Sequence, residues 1–111
     1  MRSGDILKQL NMNEEDFIVK LDGFIDKVKT LLDVVKELRD ISLEVLFAIK
    51  QGVKFNISPR NITKEKLKKA LSVFEKIAKL EANSEDEKQF VKALAEATRQ
   101  LIENNPNIRR W

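Results

Sequence analysis

The chain contains no cysteine, no histidine and no tyrosine. Those absences remove the thiol nucleophile, the commonest metal ligand and the side chain that trades protons near neutral pH. What is left for catalysis is carboxylate, lysine, serine and threonine, each of which reacts usefully only where a buried, polarised pocket shifts its ionisation. The inward polar positions that periodicity places are Ser42 and Thr98, both small enough to bond to their own helix backbone. The expectation is a protein that is not an enzyme, with no cofactor, no metal and no small-molecule substrate.

Glycine is scarce as well: the three glycines, at 4, 23 and 52, lie too far apart to form a phosphate-cradling loop. The two prolines, Pro59 and Pro106, stand outside the periodic segments. No apolar run approaches the roughly 18 residues that a membrane-spanning helix needs. The densest stretch, 41–49, already holds Ser42 and Glu44. At the start, the apolar pair Ile6-Leu7 is broken at once by Lys8 and Gln9, too brief for a signal-peptide core. A cytoplasmic chain without membrane contact is expected. Lysine and glutamate are abundant, which fits a thermophile and equally an AT-rich genome, and the eight asparagines weigh against the first.

A chain of 111 residues, 42% hydrophobic, suffices for one domain spanning 1–111, with a short N-terminal segment over 1–12 and a C-terminal tail over 105–111. Its strongest pattern starts after Asn13. There Phe17, Leu21, Phe24, Val28, Leu31, Val35 and Leu38 recur at alternating steps of four and three, and Ser42, Val45 and Ile49 continue the register. Ile18, Ile25, Leu32 and Leu46 widen this apolar face beyond a coiled-coil seam, so a bundle fits better than a bare zipper. Asn13 is placed to cap, Glu14, Glu15 and Asp16 to complement the dipole, and Gly52 to end the helix. With no glycine or proline from Phe24 to Gln51, the pattern predicts one helix over about 14–51, about 57 Å long.

Two shorter helices follow. Thr63 opens the first, with Ile62 and Leu67 at hydrophobic-staple spacing, and it runs to about 82 on Leu67, Ala70, Leu71, Phe74, Ile77 and Ala78. Ser84 and Glu87 form a capping box for the second, over about 84–104, whose inner face holds Phe90, Val91, Leu94, Ala97, Leu101 and Ile102. Around Ile6, Leu7 and Leu10 one further helical turn is expected to pack back. The fold class is all-α: a bundle in which a long central helix is packed by a two-helix hairpin. Nothing in the chain carries a family resemblance.

Two functional readings emerge. Between 41 and 49 the long helix becomes apolar nearly all round, because Leu43 and Phe47 fall on the solvent side. Two helices of about 30 Å cannot cover every side of one nearly twice as long. This predicts a protein-interaction module, self-associated as a homodimer or docked on a partner protein through Leu43 and Phe47, with Trp111 of the tail as a second anchor. The bland alternative is a bent or broken helix that folds the segment into its own core. The second reading is nucleic-acid binding. Residues 53–79 carry eight basic against two acidic side chains, and Lys54, Arg60, Lys64, Lys68, Lys69, Lys76 and Lys79 make a basic stripe. No aromatic residue interleaves with that stripe for base stacking. Along the long helix Asp22, Asp26, Asp33, Glu37, Asp40 and Glu44 recur, and read as a solvated, ion-paired face.

Overall fold

A computed structural model of the chain describes residues 3–31, 36–55, 62–80 and 84–104, and among these it contains five helices and no strand. The helix-start signals at Asn13, Thr63 and Ser84 act where the sequence places them. Helix α1 (Ser3–Leu10) ends on Asn11 in the left-handed region, φ 52°. There the Asn11 amide donates to the Lys8 carbonyl and the Met12 amide to that of Leu7, the two bonds of a Schellman motif. Asparagine is the one side chain besides glycine that tolerates this conformation readily. Two residues on, Asn13 caps helix α2 (Glu14–Leu31), its Oδ1 accepting the Asp16 amide at 2.8 Å.

The predicted single helix over 14–51 is corrected by the structure: α2 stops at Leu31, and a separate helix α3 (Lys36–Phe55) packs against it. Lys50 of α3 reaches Asp22 of α2, so the chain reverses direction between the two. The interval 32–35 between the two helices lies outside the described residues. Burial is the reason. One extended helix would have left half its apolar face bare, whereas folding back lets Leu21, Phe24 and Val28 share a core with Val45, Leu46 and Ile49. Gly52 likewise does not terminate the helix; it is buried within α3, which runs on to Phe55.

Helix α4 (Lys64–Ala78) begins as expected, with Thr63 accepting the Lys66 amide at 3.2 Å and both staple residues, Ile62 and Leu67, buried. It ends earlier than the predicted 82: Lys79 and Leu80 bond back to the carbonyls of Lys76 and Ile77, a tightened last turn. Helix α5 (Glu85–Asn104) starts at the capping box, where Ser84 Oγ accepts the Glu87 amide at 3.2 Å.

Each helix from α2 to α5 packs on the next, α3 antiparallel to α2 and α4 antiparallel to α3, and α1 packs on α5 and α3. The Cα trace measures 36 × 31 × 19 Å, so its thin dimension is two helices deep. One hydrophobic cluster reaches from Ile6 to Leu101. At its centre Phe24 meets Phe74 of α4 and Phe90 of α5 edge-on, with ring centroids 5.9 and 6.1 Å apart, while Phe17 lies 5.6 Å from Phe90. Ser42 and Thr98 are fully buried, and their hydroxyls donate to the carbonyls of Leu38 and Leu94, the pairing that their size implied. No described side-chain nitrogen or oxygen is buried without a partner.

Candidate interaction surfaces

Helix α3 turns Ser42, Val45, Leu46, Ile49 and Val53 inward. Its opposite face carries Phe47, which is 49% exposed, and about two turns further on Phe55, which is 59% exposed. The predicted docking pair is therefore divided. Phe47 stands out in solvent, whereas Leu43 is half-buried against the bundle's own core. Most of the apolar segment that needed cover finds it inside the molecule, because the fold-back of α2 supplies the missing surface. Phe55 went unpredicted because Gly52 reads as a helix stop, which would have placed Phe55 in a loop. Its neighbour Lys54 holds its amine 5.7 Å from the Phe55 ring centroid. Trp111 lies outside the described residues.

The basic stripe divides in the same way. Lys69 sits between Glu65, at 3.3 Å, and Glu37, at 3.8 Å, and is spent on ion pairs. Lys66 reaches across to Glu44 at 2.7 Å. Lys64, Lys68, Lys76 and Lys79 make no ion pair among the described residues, and their helical spacing puts them along the outer side of α4. The two acidic residues of α4 are both engaged, Glu65 by Lys69 and Glu75 by Arg99 at 2.7 Å. Arg60 falls outside the described residues. The acidic stripe read along one helix is split over two: Asp22 pairs with Lys50, Glu37 with Lys69 and Glu44 with Lys66, all between helices.

Two of the furrows in the surface are lined wholly by described residues. The larger, about 930 Å³ and widely open, runs over α5 between Gln9 and Leu10 of α1 and Glu75, Ala78 and Lys79 of α4. Arg99 closes its charges on themselves by pairing with both Glu75 and Glu96, and these partners, Glu75 first, raise its pKa. The smaller, about 400 Å³, is an apolar groove between α2 and α5 floored by Phe24, Phe90 and Val91. Lys27 and Glu87 pair across one end of it. The hydrogen bond from Lys27, opposed by a smaller desolvation, holds the Glu87 carboxyl below the usual carboxylate range. Both shifts stabilise charged surface groups and bring neither group toward neutral pH. Among the described residues no three carboxylates gather as a metal site would require, and no helix is long and apolar enough to cross a membrane. Comparison of the chain with models of protein families, with curated proteins and with solved structures finds no match to any of them.

Proposed function

We propose that this protein is a non-catalytic, cytoplasmic protein-docking module that presents the outer face of α3 to a partner. The observation that carries the reading is the pair of phenylalanines, Phe47 and Phe55, 49% and 59% exposed on one helix. Aromatic side chains anchored on a helix supply large contact area for little lost rotamer freedom. Lys54 beside them favours a partner whose apolar pocket has an acidic rim. The test is site-specific photo-crosslinking in cells from Gln51, exposed on the same face of α3 between the two rings. One discrete adduct is expected that disappears in Phe47→Lys and Phe55→Lys variants and survives Lys68→Glu. An adduct indifferent to both phenylalanine substitutions overturns the reading.

A second reading, nucleic-acid binding, rests on four lysines of α4 and its C-cap that make no ion pair among the described residues. Phosphate contacts by Lys64, Lys68, Lys76 and Lys79 would make affinity fall about a hundredfold between about 50 and about 200 mM salt. Titration of labelled DNA and RNA at both concentrations decides it, since apolar docking does not weaken with salt in this way.

A further inference from the structure

Gly23 sits in the middle of α2, exposed, with nothing of the chain within 4 Å of where a side chain would begin. A glycine in a helix interior weakens the helix, and no close approach within the molecule requires this one. Beside it lies the apolar groove over Phe24, Phe90 and Val91, and one turn before it stands Val19, 71% exposed and the most exposed large hydrophobic side chain among the described residues. A projection and a recess thus share one surface. That is the requirement for a two-fold interface, in which a single patch must fit itself.

Charge singles out the arrangement. Asp22 and Lys27 of α2 are paired within the molecule, with Lys50 and Glu87. Lys20 and Asp26 are exposed and make no ion pair among the described residues. They stand three residues to either side of Gly23. When two copies of α2 cross antiparallel at Gly23, each position before the glycine faces the corresponding position after it. Lys20 then meets the partner's Asp26, and Asp26 the partner's Lys20. Val19 falls opposite Lys27 of the other copy, at the end of the groove that Phe24 and Glu87 also line.

We infer that the protein self-associates through α2, a second copy crossing at Gly23 and seating Val19 in the groove between α2 and α5. This surface is distinct from the outer face of α3, so a dimer would offer two docking faces at once. One helix crossing buries little area, and the association is accordingly weak and concentration-dependent.

Sedimentation equilibrium of the full chain at low salt, from about 5 to about 500 µM, tests it in the range where small interfaces assemble. The mass is expected to rise toward two chains. Lys20→Glu and Asp26→Lys, each setting like charges face to face at two symmetric places, are expected to weaken association about tenfold or more. The double variant restores it, and so does an equimolar mixture of the two single variants. Gly23→Leu blocks the crossing and yields a monomer whose Tm is unchanged or higher, since leucine favours helix and its Cβ enters open space. A wild-type chain that stays monomeric throughout, single variants that associate like wild type, or a double variant that fails to recover would each overturn the inference.

Discussion

Helix α5 has two unlike neighbours. Against α4 it makes the most extensive helix contact among the described residues, and the buried residues of this pair include Ala70, Ala93, Ala95 and Ala97. Against α2 it is met by rings, Phe17 and Phe24 on Phe90. Short side chains let two helices approach, while rings hold the backbones apart as they fill the space between them. Where the rings end a groove is left open, and Gly23 deepens it. The ring contact leaves an apolar groove open, whereas the furrow beside the α4–α5 contact is crossed by the ion pairs of Arg99.

The largest effect expected from breaking this contrast is at Phe24, which touches both Phe74 and Phe90. Phe24→Ala should cost about 3–5 kcal/mol in urea unfolding, through lost transfer energy and the cavity left behind. The reverse experiment is Ala70→Leu, which adds volume to the close-packed pair where Ala70 has no exposure. Overpacking there should cost about 1–3 kcal/mol by the same measurement. Removing the caps tests the ends of the helices instead of their faces. Asn13→Ala and Ser84→Ala should each cost about 1 kcal/mol, with an Ala→Ser change at a mid-helix surface position as control.

On the outer face of α3 the expectation is a small change in stability. Phe55→Lys should move unfolding by no more than about 0.5 kcal/mol, and Phe47→Lys, whose side chain is half covered, by about 1 kcal/mol. A much larger loss would mean that the rings serve the core and not a partner. The smallest effect belongs to Glu87. Its carboxyl is held below its ordinary value of 4.5, so its contribution to stability is complete above that value and lost as pH falls through the lower folded value. Comparing Tm at neutral pH and near pH 3 for the wild type and Lys27→Met should show a slightly shallower acid loss in the variant.

Much of the fold was legible residue by residue. Phe17, Leu21, Phe24, Val28, Ser42, Val45 and Ile49 are all buried, as the steps of four and three require. Continuity was not legible. Val28 and Ser42 keep the same heptad phase on either side of the reversal, so the pattern reads through it without a seam. The acidic stripe misled for the same reason, being two half-stripes on two helices that find lysines elsewhere. Of the interaction surfaces, Phe47 was visible from its off-seam position, but Phe55, Val19 and the groove were not. A groove belongs to two helices, and no spacing within one of them encodes it.

By itself the sequence determined the helical class, the caps at Asn13, Thr63 and Ser84, the inward faces, and the local pairing of Ser42 and Thr98 with their own backbones. All of these depend on neighbours within about one turn, where side-chain chemistry and backbone geometry are set together. Only the tertiary structure decided that 14–55 would fold back as two helices, that Leu43 would turn against the core while Phe47 stayed out, and which lysines would be spent on ion pairs. Those outcomes rest on burial summed over the whole chain, a quantity to which distant residues contribute as much as adjacent ones.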